Sequence, residues 1–493
     1  MNNFRKSVYS KLLWLLTLVA ITLSLLSSCG FFTTEEPEDN KGETEEETVY
    51  IASSKDEILA NIAESLKTPE SEYSMVTKYI EVWGVSAFDK LKFSYFESCF
   101  MKVYAYEGGL PEAEAHAKMA VERYLESYYD VIDLSNKDEV TDSLLYCYVD
   151  IINDPYSIYR IPVAADEYTE DMSGKFGGIG VVIEYNDREE TIQVTTVYPD
   201  SPAEAAGIMV GDFITAVNGV SIEEIGYRNA VNHIRGEIGT SVDVTLLRNG
   251  ESVTVTAIRA EVEVRNVVYS FDEESKIGYV EIVSFKANTF DQFKKAIDEL
   301  EAKGAVGFVF DLRGNPGGYL YSVRDVLSYI VPSDNTVVTY QYKNQALTTL
   351  KTQPDGYLSG NGESAIPYDH VISVPIIVLC DEYTASAGEI FTSALRDYAD
   401  EGIANVTIVG TTTYGKGIMQ NTYTYSDGSS VTLTVAYYNP PCGVNYHGVG
   451  ITPDVYVELP AAELDPETGK FLPVEDTQLK AGIEELKKLL VAN

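Results

Sequence analysis

Apolar positions along the chain change rhythm, and each rhythm predicts a different kind of element. From residue 55 to about residue 166, long runs lack glycine and apolar residues recur three and four apart, the spacing of helices with one buried face. Ala117, Val121, Tyr124, Leu125 and Tyr128 form such a face over 113–129. From residue 175 to about 265 the pattern shortens to alternating runs broken by turn residues, GIGVVIEY, TIQVTTVY, GDFITAVNG and SVDVTLLRNGESVTVTAI, as strands require. Asn249-Gly250 between two alternating runs predicts a two-residue hairpin turn. From 276 to 460 strand-like and helix-like stretches take turns: KIGYVEIVSF, TFDQFKKAIDELEAKG, AVGFVFDL, YLYSVRDVLSYI, VISVPIIVLC and SAGEIFTSALRDYA. Strands separated by helix-length crossovers pair in parallel. An amphipathic stretch over 476–490 predicts a last helix that packs back on this region. The whole is a multidomain α+β chain: an N-terminal helical region (55–170), a β-rich domain (171–265), an α/β core with a largely parallel sheet (266–460) and a C-terminal helical segment (461–493).

Length and charge narrow the picture. The 493 residues suit about three domains of ~150 residues each, and 45% hydrophobic with 23% charged residues is ordinary globular composition. A net charge of −40 repels phosphate backbones and offers no basic patch for anionic lipid, which excludes nucleic acid as a partner class. Four histidines and no paired CxxC motif leave little material for a metal centre, so neither metal nor cofactor is expected.

The N-terminus carries an address. Arg5, Lys6 and Lys11 precede an apolar run over 12–26, and small residues follow it, the layout of an export signal over residues 1–28. The run falls short of the ~20 residues a membrane span needs. Leu26-Ser27-Ser28-Cys29 resembles a bacterial lipobox, which implies a lipid on Cys29; an ordinary secretory signal with cysteine at that place is the alternative. Residues 29–54 are crowded with Glu35, Glu36, Glu38, Asp39, Glu43, Glu45, Glu46 and Glu47, a self-repelling stretch expected to stay extended as a tether. The expected location is extracytoplasmic, periplasmic or on the cell surface, with the lipid as the membrane contact. In that setting Cys99 and Cys147 can pair or remain buried thiols.

Candidate chemistry gathers at turns that follow strands. Ser386 stands between a predicted strand and a predicted helix, where a hydroxyl is exposed beside unpaired N–H groups. It can act as a nucleophile whose oxyanion the Ala387 N–H would hold. Ser386-Ala387-Gly388-Glu389 is equally a capping box, in which the serine does no more than start the helix. Asp311-Leu312-Arg313-Gly314-Asn315-Pro316-Gly317-Gly318 is a second such turn, whose glycines let backbone N–H groups approach a ligand or merely make the turn tight. Asp311 and Arg313 suit an ion pair that fixes it. Gly410-Thr411-Thr412-Thr413-Tyr414-Gly415-Lys416-Gly417 mimics a phosphate loop, but Gly417 stands where the magnesium-binding hydroxyl belongs and a strand-like run follows, so nucleotide binding is rejected. Lys416 suits a general base if burial keeps it neutral, with the Gln420 amide four residues on to hold it; a solvated loop charge is its commoner fate. Among histidines, His116, His233 and His370 sit in the wrong regions and His447 is the remaining competitor as base.

Taken in order, Asp311–Gly318, Thr384-Ala385-Ser386-Ala387-Gly388-Glu389-Ile390, Thr413-Tyr414-Gly415-Lys416-Gly417 with Gln420, and His447-Gly448-Val449-Gly450-Ile451-Thr452... through Asp454 resemble the carboxyl-terminal processing peptidases, serine–lysine endopeptidases with an inserted PDZ domain. 

Asp154-Pro155-Tyr156-Ser157-Ile158-Tyr159 and Ser173-Gly174-Lys175-Phe176-Gly177-Gly178-Ile179-Gly180-Val181 resemble that family's lead into its PDZ domain, and Asp476-Thr477-Gln478-Leu479 its C-terminal segment. The resemblance implies a PDZ domain over 171–265 and a serine protease core over 266–460. It makes Ser386 the nucleophile, Lys416 the base and Gln420 the group that positions the lysine, with Gly317, Gly318 and Ala387 as oxyanion donors. Gly178, Ile179, Gly180 and Val181 would bind a terminal carboxylate, and the adjoining strand edge would take an apolar C-terminal tail. The partners implied are unfolded or apolar polypeptide tails, and homo-oligomerisation is left open. A catalytically inactive PDZ adaptor and a Ser/His hydrolase using His447 are the rival functions. The spacing from Ser386 to Lys416 exceeds the family's usual one, with the extra residues placed in a surface turn around 398–404.

Overall fold

A computed structural model describes residues 113–128, 136–186, 191–353, 370–460 and 474–492, together with Lys92, Phe96, Phe100, Tyr104 and Val131. The expected export signal and tether, Cys29 and Cys99 lie outside the described residues. In chain order the elements are α1 (Ala113–Ser127), α2 (Lys137–Asp150), β1 (Ile158–Arg160), α3 (Pro162–Ser173), β2 (Lys175–Gly178), β3 (Val181–Asn186), β4 (Thr191–Val197), α4 (Pro202–Ala205), β5 (Phe213–Val217), β6 (Val220–Ser221), α5 (Ile222–Ile234), β7 (Ser241–Arg248), β8 (Glu251–Ile258) and β9 (Ala260–Glu263). There follow β10 (Val267–Asp272), β11 (Ile277–Ile282), α6 (Thr289–Ala302), β12 (Gly307–Asp311), α7 (Leu320–Ser328), β13 (Thr336–Tyr340), β14 (Thr348–Lys351), β15 (Ile376–Cys380), α8 (Ala387–Asp400), β16 (Val406–Gly410), β17 (Ile418–Thr424), β18 (Ser430–Asn439), β19 (Val455–Tyr456) and α9 (Thr477–Ala492).

Two compact units result. Of the described residues, one comprises those of 168–266 with 286–289, and the other those up to 167, 267–285 and from 290 onward. In the smaller unit an antiparallel sheet runs β3-β4-β5-β7-β8, with β6 on β5, and a separate ribbon pairs β2 with β9. The predicted hairpin joins β7 to β8, with Asn249 at φ 53° and Gly250 at φ 83°, both left-handed as its two-residue turn demands. Ile179, Ile192, Val194, Ile214, Val244 and Leu246 are buried in its core. Asp212 is fastened there by Arg248, whose Nε and Nη2 donate at 2.7 and 2.6 Å.

The larger unit is built on a sheet ordered β10-β11-β12-β15-β16-β19. All its pairs from β11 onward are parallel, and β10 joins antiparallel at one edge. Strands β12 and β15 are buried at every position, so they appear in sequence as unbroken apolar runs rather than as alternation. A second sheet, β1-β18-β13-β14 with β17 on β18, is antiparallel; the alternating helix–strand pattern did not reveal it. The described part of the N-terminal helical region shares the core of the larger unit. Phe96, Phe100, Tyr124, Leu144 and Tyr148 belong to the same buried cluster as Val280, Phe308, Phe310 and Ile390. On the sheet's other face α9 buries Leu486 against Ile277, Val309, Ile377, Leu379 and Val409. Cys147 is a buried free thiol, and burial pushes its pKa up.

Candidate active site

In the parallel part of the sheet, β11 through β19, every strand ends at the same edge, so the loops that follow neighbouring strands meet there. β12, β15 and β16 are consecutive in the sheet, and their following loops carry Gly317-Gly318, Ser386 and Lys416. Positions far apart in sequence thus become neighbours through strand order alone.

Ser386 has φ 53° and ψ −116°, the backbone of the first corner of a II′ turn, and Gly388 N–H closes that turn on Ala385 C=O at 2.9 Å. That corner favours glycine, so a serine there stores strain of about 1–3 kcal/mol. The capping box predicted from sequence forms by one half. Ser386 N–H donates to Glu389 Oε2 at 3.0 Å, whereas the Ser386 hydroxyl has no hydrogen-bond partner. An ordinary cap would use its oxygen to hold the helix start. Here the backbone bond to Glu389 does that work and leaves the hydroxyl unengaged.

Glu389 is the hub that the sequence showed only as a cap residue. Its Oε1 accepts from Thr413 Oγ1 at 2.6 Å and from Gly415 N–H at 2.7 Å, and its Oε2 accepts from Lys416 N–H at 2.7 Å as well as from Ser386. One oxygen therefore clasps the backbones of both the candidate nucleophile and the candidate base. Glu389 is fully buried; that burial pushes its carboxyl above the usual range, and the four donors pull it back. Lys416 and Gln420 are buried with it, at 0% and 1% exposure, so Lys416 is no solvated loop charge.

The glycine turn lies directly against Ser386. A side chain added at Gly317 would meet Ser386 Cβ at 2.7 Å and Ala387 N at 2.9 Å, and one at Gly318 would meet Phe285 O at 2.1 Å. Gly317 N–H is already donated to Asn315 Oδ1 at 2.8 Å, which removes it from the expected set of oxyanion donors in this conformation. Phe285 N–H and C=O bond to Gly317 C=O and Tyr319 N–H, so the bridge skips Gly318 and leaves its N–H outside the pairing. Ala387 is the first residue of α8, where an N–H has no carbonyl one turn earlier in the helix. Asp311 and Arg313 form the expected ion pair, and Arg313 also reaches Asp476 at 2.8 Å, tying the turn to the start of α9.

Gln420 sits just past a register shift between Met419 and Gln420 in the β17–β18 pairing. Its Nε2 donates to Thr434 Oγ1 at 3.3 Å, while its Oε1 is buried without a hydrogen-bond partner. The contact expected between that oxygen and the lysine amine is therefore not made in this conformation. His447 accepts from Gly417 N–H through Nδ1 at 3.3 Å and packs its ring on Tyr156 and Tyr437. His370 precedes β15, at the opposite end of the strand from Ser386, and bonds to Tyr329 C=O and Glu301. A residue that the sequence assigned no role also enters here: the Lys416 amine lies over the Tyr156 ring, 5.1 Å from its centroid. Among the described residues no group of three or more His, Cys, Asp or Glu side chains is placed to hold a metal ion, and no helix is long and apolar enough to cross a membrane.

In the smaller unit Gly178 ends β2 and Val181 opens β3, with Ile179 buried in the core between them. Gly180 has φ 83°, and a side chain there would strike Ser201 Cβ at 2.4 Å. β3 is an edge strand, paired with β4 alone among the described strands, and Tyr227 of α5 stacks on Tyr185 of β3 at 5.2 Å. A strand edge beside a helix, entered by a glycine turn, is suited to adding an extended peptide.

Comparison with known proteins follows these two units. Peptidase family S41 matches residues 276–457, and the PDZ domain matches 168–247. The carboxy-terminal processing protease CtpA of Bacillus subtilis (strain 168) is 34% identical over 341 residues, which cover 69% of this chain and 68% of that protein. A probable CtpA-like serine protease of Staphylococcus haemolyticus is 31% identical over 331 residues, covering 67% of this chain and 62% of that protein. A solved photosystem II D1 C-terminal processing protease superposes with a TM-score of 0.41 at 24% identity, over 75% of this chain and 92% of the other.

Proposed function

This chain belongs to peptidase family S41, among the CtpA-like C-terminal processing proteases with a PDZ domain, and on that premise we propose that it is a serine endopeptidase working through a Ser386/Lys416 dyad. Lys416 removes the Ser386 proton as the oxygen attacks the scissile carbonyl. The tetrahedral oxyanion is held by the N–H groups of Ala387 and Gly318, and the lysine then protonates the leaving amine. Water completes the cycle by the same route. A base of this kind must be uncharged, and removing an amine from water favours that form; the Lys416 side chain is wholly buried. Gln420 orients the amine once its Oε1 turns onto it. The PDZ unit captures an unfolded or apolar C-terminal tail along β3, with the turn 178–181 at the carboxylate. Both dyad residues are inaccessible here, so substrate reaches them only after the site opens. The chain acts outside the cytoplasm, held to a membrane by a lipid on Cys29.

The observation that carries this reading is the single Glu389 oxygen shared by the Ser386 and Lys416 backbones, because a cap alone has no need to fasten a lysine loop to the serine it starts from. Covalent labelling with a fluorophosphonate tests it. Wild type and His447→Ala should label, and Ser386→Ala and Lys416→Ala should not. Labelling in none of the four would favour an adaptor without activity. Labelling lost in His447→Ala but kept in Lys416→Ala would favour a Ser/His hydrolase.

A further inference from the structure

The segment Asp154-Pro155-Tyr156-Ser157 looks from sequence like a lead into the next domain, yet it is folded into the larger unit beside the base. Asp154, Tyr156 and Ser157 are each at most 8% exposed. The Asp154 carboxylate accepts from Tyr156 N–H at 2.9 Å and from Ser157 Oγ at 2.7 Å, which makes the segment a closed turn. Thr434 N–H donates to Ser157 Oγ at 3.1 Å, and the Thr434 hydroxyl accepts from Gln420 at 3.3 Å. Next along the chain, β1 pairs Ile158 with Thr432. The turn is thus anchored to the same β18 residue that holds Gln420, and it places the Tyr156 ring 5.1 Å from the Lys416 amine. A cation lying over an aromatic face within about 6 Å is attracted by the ring's quadrupole.

We propose that Tyr156 is a positioning residue for the general base, its ring face seating the Lys416 amine and biasing its protonation. This rests on the Ser/Lys reading. The ring stabilises the ammonium relative to the amine, so it sets how high the pH must rise before Lys416 can accept a proton. Four other titratable groups adjoin the base. Glu389 accepts the Lys416 N–H, Tyr438 donates to the Lys416 carbonyl, Tyr446 packs on Tyr438, and His447 packs on Tyr156 and accepts from the neighbouring Gly417 N–H. Asp154 lies under the turn. These groups stay in place when only the ring's electronics change.

The test is the rate of fluorophosphonate labelling of Ser386 in the full chain, measured against pH. Tyr156→Phe keeps a ring face and should keep the acid limb in place. Tyr156→Leu keeps an apolar side chain without a quadrupole and should move that limb to lower pH by about one unit. Phenylalanine analogues of increasing fluorination at position 156 hold the shape while weakening the quadrupole, so the limb should descend step by step even where Tyr156→Leu fails to fold. A limb that ignores both leucine and fluorination, while labelling still requires Ser386 and Lys416, overturns the proposal and leaves the dyad standing. A limb that moves with His447→Asn and not with the ring assigns the titration to imidazole and also overturns it. Labelling independent of Lys416 removes the dyad and this inference together.

Discussion

At the scale of single residues, the site depends on two backbone conformations that cost free energy. Ser386 occupies a corner that suits glycine, and Gly317 has φ 105° with no room for a side chain. A methyl group at 317 would have to push Ser386 Cβ, Ala387 N or Ala385 O away, each at 3.0 Å or less. Gly317→Ala should therefore lower the labelling rate of Ser386 by about 10²-fold or more, and lower stability to urea by about 1–3 kcal/mol. A variant that unfolds at the wild-type urea concentration and labels at the wild-type rate would refute this account of the turn. Glu389 gives the complementary lesson. Ser-x-x-Glu was legible as a capping box, but a spacing of three residues says nothing about Thr413, Gly415 and Lys416, whose bonds to that carboxylate exist only because β16 lies beside β15.

At the scale of elements, most of what the periodicity predicted is present: the helix over 113–127, the β7–β8 hairpin, the crossover helices and the run of strands feeding the site. The antiparallel second sheet was missed because β1, β13 and β14 are short, and β18, the partner of β1 and β13, is remote from both in sequence. The β5–β7 pair offers a prediction of its own. Arg248 holds the Asp212 carboxyl below its usual range, so the stabilisation is present above the unfolded carboxylate pKa of ~3.9 and is lost as pH falls through the lower folded value. Asp212→Asn should destabilise the smaller unit at pH 7 by about 1–2 kcal/mol, a figure kept modest because Arg248 is a quarter exposed. Urea unfolding should show the difference from wild type shrinking as pH drops below ~3.9. A gap that widens towards acid would reverse the sign and defeat the argument.

At the scale of the whole molecule, the parallel sheet is covered on both faces, and α9 supplies one of the covers. Leu486 is fully buried among Ile277, Val309, Ile377, Leu379 and Val409, so Leu486→Ala should cost about 2–5 kcal/mol in urea unfolding. A loss below 0.5 kcal/mol would mean that the helix adds little to the core. Sequence alone determined most of the elements, the two kinds of domain and the residue types at the strand ends that feed the site, because periodicity and turn chemistry are local records of which face is buried and where the chain reverses. It also carried the family motifs that marked Ser386, Lys416 and Gln420. The tertiary structure decided what those residues face: that β12, β15 and β16 adjoin, that Glu389 joins serine to lysine, that Gly317 spends its N–H on Asn315, and that Tyr156 lies against the base. Such contacts join positions tens to hundreds of residues apart through strand order and packing, which no spacing along the chain records.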